Sequence, residues 1–332
     1  MHPLTAFHTF ALPALAQVIS FVRHPKDLET LCESLKDKPF FILGEGSNTV
    51  FLDDYQGTVL KIALSGIKLE HTATDFRLIV GAGENWHQLV LWCMQNQIYG
   101  LENLALIPGS VGAAPIQNIG AYGVEVERFI HRVDYFDPFE SVIKSLDHKA
   151  CDFSYRDSVF KTKLGQRAII TQVIFDIPKN YLPITKYDDL AKLSNPTPQE
   201  IFNQVVSIRQ EKLPDPQYIG NAGSFFKNPV INLNHYIQLQ KTWPSIPSYP
   251  VDTLHVKVPA AWLIDKLGFK GKKVGGIGCH PYQALVLTND GTGTGQQLLN
   301  LARGIKTAVL NEFSIILENE VRLIGKTGPV IL

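Results

Sequence analysis

The sequence has no excess of charge of either sign: Lys plus Arg and Asp plus Glu number 31 each in 332 residues. A balanced chain has no bulk field to recruit nucleic acid or an anionic membrane, so counter-charges for an anionic small molecule must be placed locally. Cysteine is scarce. Cys32, Cys93, Cys151 and Cys279 lie far apart with no Cys-x-x-Cys pair, which speaks against a zinc ribbon or a redox dithiol. Buried free thiols in a cytoplasmic protein are expected instead, and no metal, since neither His87 nor His280 has ligand company at useful spacing. Long apolar runs are also missing. The stretch 10–22 is broken by Pro13 and Gln17 and has neither a basic leader nor a small-residue cleavage site. It reads as no signal peptide, and nothing approaches the roughly 18 apolar residues of a membrane helix. There is no internal repeat or low-complexity tract, and Gly271-Lys272-Lys273 lacks the glycine spacing of a nucleotide-binding lysine loop.

What is present is a globular mixture long enough for about two or three domains. Apolar runs at 40–43 and 76–80 each end in a glycine-rich turn, and further strands are expected at 130–136, 141–145 and 168–177, with Asp137-Pro138 as a turn. Asn85 and Gln88 have the spacing of a helix start, Trp86, Leu89, Val90, Cys93 and Met94 share one face, and Gly100 is the expected stop. After Pro183 the character changes. Thr197-Pro198-Gln199-Glu200 opens a helix that 214–216 should end; helices follow at 260–267 and 296–313, and strands at 315–317 and 321–324. Strands and helices alternate without βαβ rhythm, so the fold class expected is α+β.

Two segments could cradle a dinucleotide. Gly44, Gly46, Ser47, Asn48 and Thr49 follow a strand; glycine lets amides approach an anion, and Ser47 and Asn48 add side-chain donors. It is not a dinucleotide fingerprint of the Rossmann kind, because Thr49 stands in the place of the third glycine, and a tight turn between strands is an equal alternative. The second segment, 108–123, holds Gly109, Ser110, Gly112, Ala113, Ala114, Gln117, Asn118 and Gly120 with almost no charge. A surface loop is normally more polar and a core strand tolerates fewer glycines, so it fits a backbone pressed against a large flat ligand. A glycine-rich structural crossing is the weaker reading.

These segments, with Tyr155-Arg156-Asp157-Ser158, the stretch 220–229 and Glu318-Asn319-Glu320-Val321-Arg322, occur in the order found in the UDP-N-acetylenolpyruvoylglucosamine reductases, the MurB family, which the chain resembles over nearly its whole length. The resemblance implies a two-lobed FAD-binding domain of the vanillyl-alcohol-oxidase (PCMH) kind over 1–182, split near 66, and a smaller α+β substrate-binding domain over 183–332. Residues 315–332 would return to the first lobe. It implies non-covalent FAD, NADPH as reductant, a UDP-sugar enolpyruvyl ether as substrate, and a monomer without nucleic-acid or membrane partners. The stretch 184–190 around Tyr187 resembles the tyrosine loop of the family's type I branch.

In that family a hydride from N5 of FAD adds to the terminal carbon of the enolpyruvyl group, and the adjacent carbon is then protonated. Charge develops beside the substrate carboxylate, where one preorganised donor is typically worth about 3 kcal/mol of barrier. The matching positions are Arg156, whose guanidinium can fork onto a carboxylate; Ser224, read here in a loop, as proton donor; and Glu320, in an apolar terminal strand, beside the enolate. Serine is a reluctant acid, and Lys212 or Lys227 is the candidate to assist it. Asn319 stands where many family members have proline. For the nucleotide the matching residues are Tyr187, Lys212, Asn228, Tyr249, Lys257 and Gln283, with Tyr122 and Tyr155 lining the site near the flavin. Outside the resemblance, each would more often be ordinary surface. A flavin oxidase or dehydrogenase would keep the glycine-rich segments without the Ser224 and Glu320 segments, and a non-catalytic binding protein would have lost the catalytic positions.

Overall fold

The computed structural model describes residues 1–35 and 38–332, and the chain forms two compact units. The central unit is Gln17–Glu45 with Gly57–Glu211; the terminal unit is Met1–Ala16, Gly46–Gln56 and Lys212–Leu332. Each surrounds one hydrophobic cluster. The units follow nonlocal pairing rather than chain order, so their borders differ from a division at 182/183: residues 183–211 belong to the central unit and 1–16 to the terminal one.

The central unit is built on an antiparallel sheet in the order Val142–Asp147, Ile130–Asp137, Ile169–Pro178, Asp75–Gly81, Ile67–His71. One corner is the turn expected at Asp137, whose Oδ1 accepts from the amides of Phe139 (3.0 Å) and Glu140 (3.3 Å). Ile169–Pro178 is buried along nearly its whole length, as its run of Ile, Val and Phe requires. Helix Trp86–Gln95 starts where expected, the Asn85 side chain accepting from Gln88 N at 2.9 Å. Its stop is not Gly100. Gln97 takes the left-handed conformation (φ 58), and the amides of Gln97 and Ile98 close on Met94 O and Cys93 O, so the last carbonyls are satisfied three residues earlier. Helix Pro198–Lys212 begins at Thr197 and Glu200 as read, Glu200 Oε2 accepting from Thr197 N at 2.7 Å.

The terminal unit holds an antiparallel sheet in the order Gly220–Ser224, Val286–Asn289, Ile277–Cys279, Lys273–Val274. A smaller one runs Val230–Asn232, His255–Lys257, Tyr249–Pro250. Helix Gly295–Phe313 is closed by a Thr294–Gln297 capping box and buries Leu298, Leu301, Ala302, Ile305, Val309 and Phe313, spacings of three and four that make one face. Of the terminal strands expected, Arg322–Ile324 forms and pairs in parallel with Thr49–Phe51. Residues 315–317 do not: Ile315 and Leu317 are buried and Ile316 exposed, the alternation of a strand, yet the segment joins no ladder. The four cysteines are buried and free. Among the described residues no helix is long and apolar enough to cross a membrane.

Candidate active site

In the central unit the segment 108–123 is stitched to the turn that follows Asp75–Gly81. Gly109 O accepts from Trp86 N (2.9 Å), Val111 N donates to Glu84 O (2.8 Å), and Gly112 N donates to Ala82 O (2.9 Å). A Cβ at Gly44 would stand 2.5 Å from Ser110 Oγ, one at Gly112 2.6 Å from Ala82 Cβ, and one at Gly120 2.8 Å from Glu125 Cγ. At Gly44 and Gly120 the nearest atom is a side chain that can shift, whereas Gly112 also faces the Ala82 backbone, its carbonyl lying 3.0 Å from the Cβ position. The amides of Ala113 and Ala114 also go to the chain's own carbonyls, Ser110 O and Val111 O. Asn118 is a strut: buried, at φ 43, it donates to Glu125 Oε2 (3.1 Å) and Ser154 O (3.2 Å) and accepts from Glu127 N (3.1 Å). Lys61, whose ammonium donates to Gly44 O at 2.6 Å, has its pKa lowered by burial and partly restored by Glu45.

Arg156 is held, not loose. Its Nη2 donates to Gly120 O at 2.8 Å, the guanidinium lies over the Tyr155 ring at 5.4 Å, and Lys161 Nζ donates to its carbonyl at 2.6 Å. Its φ is 56, a left-handed conformation that costs a non-glycine residue about 1–3 kcal/mol and is kept where the surroundings over-determine it. Burial, then Glu127, raises the pKa of nearby Glu125, while Arg156 opposes the rise. Tyr122 and Gly123 form the left-handed turn (φ 48 and 80) of the hairpin Gly120–Ala121/Val124–Glu125, the conformation a two-residue hairpin turn needs. The Tyr122 ring meets Tyr187 edge-on at 5.9 Å, and Asn103 Nδ2 donates to both Tyr122 O and Ile184 O at 2.9 Å. Tyr187, expected at the nucleotide, and Tyr122, expected near the flavin, are therefore neighbours.

Arg209 was not singled out from the sequence. It lies three residues before Lys212 on the same helix, and that helical spacing was the available signal. Its side chain hydrogen-bonds Tyr122, burial lowers its pKa, and its Nε has no hydrogen-bond partner among the described residues. A buried guanidinium so placed fits an electron-rich or anionic ligand such as the flavin dinucleotide. His87 is structural, as read: its Nδ1 accepts from Leu106 N (3.1 Å) and its ring stacks on Phe202.

The terminal unit carries the other candidates. Gly46 sits at φ 70, and a Cβ there would lie 2.1 Å from Phe7 O. Ser224 is not in a loop but ends strand Gly220–Ser224, after a bulge between Asn221 and Ser224 that includes Gly223 at φ 70. Glu320 is not in the terminal strand but precedes it, in a segment running beside 225–227. Lys227 N donates to Glu318 O (2.9 Å), Glu320 N donates to Phe225 O (2.8 Å), and Asn48 Nδ2 donates to Glu320 O (3.2 Å). The backbones carrying Ser224 and Glu320 are thus paired, and Asn48 joins them. These bonds use Glu318 O and Glu320 N and bypass the Asn319 amide, which explains why a proline is compatible with this position.

Lys227 is engaged by Glu318 Oε2 at 2.9 Å, while Lys212 is exposed at its helix end. Tyr249 and Lys257 are direct cross-strand partners, Lys257 also faces Val230, and Asn228 Oδ1 accepts from Ala260 N (2.9 Å). These three expected nucleotide residues share the small sheet and its border. Gln283 donates its amide to His280 Nδ1 (3.2 Å), which makes His280 structural too, and its side chain accepts from Leu285 N, the residue whose carbonyl receives Phe225 N (2.7 Å).

The match of residues 16–145 to an FAD binding domain puts the protein in the FAD-binding class. The description "FAD binding domain" matches residues 16–145, and "UDP-N-acetylenolpyruvoylglucosamine reductase, C-terminal domain" matches 215–324. A relative of that reductase name from Pseudoalteromonas atlantica is 54% identical over 329 residues, 99% of this chain and 95% of the relative. Another, from Pseudoalteromonas translucida, is 47% identical over 98% of this chain and 96% of its own length. The solved reductase from Thermus caldophilus, at 23% identity, has the same fold, with a TM-score of 0.67 and 96% of each chain covered. The chain belongs to the UDP-N-acetylenolpyruvoylglucosamine reductase family.

Proposed function

We propose that this protein reduces UDP-N-acetylglucosamine enolpyruvate to UDP-N-acetylmuramate, a step in making peptidoglycan precursors, with FAD as cofactor and NADPH as reductant. The observation that carries the reading is the pairing of the segments bearing Ser224 and Glu320, made by Glu320 N and Phe225 O and tied to Asn48. When bound, FAD accepts electrons from NADPH and supplies a hydride to the terminal alkene carbon of the substrate. Arg156 binds the substrate carboxylate and stabilises the charge that spreads into it. Ser224 gives its proton to the carbon next to that carboxylate, and Glu320 hydrogen-bonds the enolate-like group. Lys212 or Lys227, the latter bonded to Glu318 Oε2 at 2.9 Å, is the candidate to favour the serine alkoxide. The nucleotide falls to Tyr187, Tyr249, Lys257, Asn228 and Gln283, with Tyr122 and Tyr155 nearer the flavin. The matches at 16–145 and 215–324 support giving the flavin to residues up to about 182 and the substrate to those beyond. In the stretch 109–120 the amides of Val111 to Ala114 already go to the chain's own carbonyls, so it would hold the cofactor more through its shape; the stretch 44–49 would add Ser47 and Asn48 as side-chain donors.

The test is direct. The purified protein should be yellow, NADPH should bleach it without oxygen, and the UDP-sugar enolpyruvyl ether should restore the oxidised spectrum. In Ser224→Ala, NADPH should still reduce the flavin while restoration by the sugar slows about a thousandfold. Restoration at the normal rate in that variant removes Ser224 from the mechanism; bleaching without restoration in the wild type turns the reading to an oxidase.

A further inference from the structure

Thr9 has no assigned role, yet it ties two functional stretches of the terminal unit together. Its amide donates to Gly46 O (3.2 Å), and its carbonyl accepts from Asn221 N (3.1 Å). Its hydroxyl donates to Asn221 O at 2.7 Å and reaches Ser47 O at 3.5 Å. Thr9 therefore binds Asn221 from both sides of that residue's backbone while holding the glycine turn 46–48.

Asn221 in turn shapes the bulge before Ser224. It is buried; its Oδ1 accepts from Gly223 N (3.1 Å), and its Nδ2 donates to Pro214 O (3.1 Å) and Ile219 O (3.0 Å). A bulge turns the next side chain by inserting a residue, and its geometry is only as firm as the bonds that fix it. Between Asn221 and Ser224 the ladder register breaks and Gly223 goes left-handed, at φ 70. On the far side of the bulge Ser224 pairs with Val286 and Phe225 N donates to Leu285 O (2.7 Å); on the near side the support comes from Asn221, and through it from Thr9.

We infer that Thr9 is a positioning residue for Ser224: its hydroxyl, through Asn221, fixes the bulge that aims the serine at the substrate carbon. The inference rests on the reading of Ser224 as proton donor. The N–H to Gly46 O is a backbone bond that substitution of the side chain leaves in place, and the hydroxyl contact to Ser47 is long. Removal of the hydroxyl should thus affect the serine far more than the turn.

Thr9→Val keeps the shape and removes the donor. With the full-length flavoprotein reduced by NADPH without oxygen, rates are taken per bound flavin. Reoxidation by the UDP-sugar enolpyruvyl ether should be about five- to tenfold slower in Thr9→Val, as the loss of one aligned hydrogen bond in the transition state predicts. Reduction by NADPH should stay within about twofold of wild type, and Thr9→Ser should recover reoxidation to the same margin. A wild-type reoxidation rate in Thr9→Val, or equal slowing of both half-reactions with no recovery in Thr9→Ser, overturns the inference. If Thr9→Val holds no flavin, the same split is read in Asn221→Ala, which cuts the connection at its far end; slowing confined to reoxidation supports the inference, and any other pattern overturns it. A wild-type protein that the sugar never reoxidises sinks the reading of the function instead.

Discussion

The central and terminal units answer the same problem, an irregular glycine-rich segment held against a sheet, with different materials. In the central unit the sheet is a run of antiparallel neighbours, and the segment 108–123 is bonded to a turn only some 25 residues earlier. In the terminal unit the supports come from opposite ends of the chain: Thr9 on Asn221, Thr49–Phe51 on Arg322–Ile324, and Asn48 on Glu320. Beside its glycine-rich turn the central unit offers Gly44 a side chain that can take up a disturbance, whereas the terminal unit sets the Phe7 backbone directly against Gly46. That difference predicts which of the two turns tolerates change.

The glycines offer the largest contrast. Gly46→Ala drives a Cβ into the Phe7 carbonyl at 2.1 Å from a left-handed residue, so the backbone has to move, and a loss of about 4 kcal/mol is expected in denaturant melts. Gly44→Ala meets only the Ser110 hydroxyl, which can rotate away, and should cost about 1 kcal/mol. Equal losses would break the comparison.

Acid should also separate the units. His8, buried in the terminal unit with its Nε2 on Leu12 O at 3.1 Å, has its pKa lowered by burial from 6.5 to about 4. The unfolded chain binds that proton more readily, so stability is complete above pH 6.5 and falls as the pH drops toward 4, by about 3 kcal/mol in all. Urea melts of wild type and His8→Phe at pH 7 and 4.5 measure it; a wild-type slope unchanged in the variant refutes the assignment.

The smallest effect belongs to the central sheet. Arg77 grips Asp176 through two bonds of 2.7 Å, and this hydrogen bonding lowers the Asp176 pKa below its ordinary 3.8. That stability is present above pH 3.8 and lost only below it. Asp176→Asn at neutral pH should cost under about 1 kcal/mol, since the pair is partly exposed. A larger loss would show that the sheet leans on ion pairs more than on its buried strands.

Legibility follows the same line. The Asn85 helix start, the Thr197 cap and the Asp137 turn were visible because each is fixed by residues within a few positions, and the strands of the central sheet because their apolar runs show before their partners are known. Gly100 misled because a glutamine took the left-handed stop, and 315–317 alternates like a strand but finds no partner. Ser224 and Glu320 were recognisable by their motifs, yet a bulged strand end and a bypassed amide at Asn319 depend on partners 60 and more residues distant. Arg209 and Thr9 left only faint marks, because neither a buried arginine nor a hub threonine differs in sequence from an ordinary one.

The sequence by itself determined the α+β class and the family, since those rest on residue pattern and local hydrogen bonding, and it named the candidates proposed to meet a carboxylate, a proton acceptor and a nucleotide. Only the tertiary structure decided why the glycines are glycines, how Ser224 and Glu320 come to lie on paired backbones, and what holds the bulge between Asn221 and Ser224. Those are consequences of distant chain segments competing for the same space and the same backbone hydrogen bonds, and no stretch of neighbouring residues carries that information.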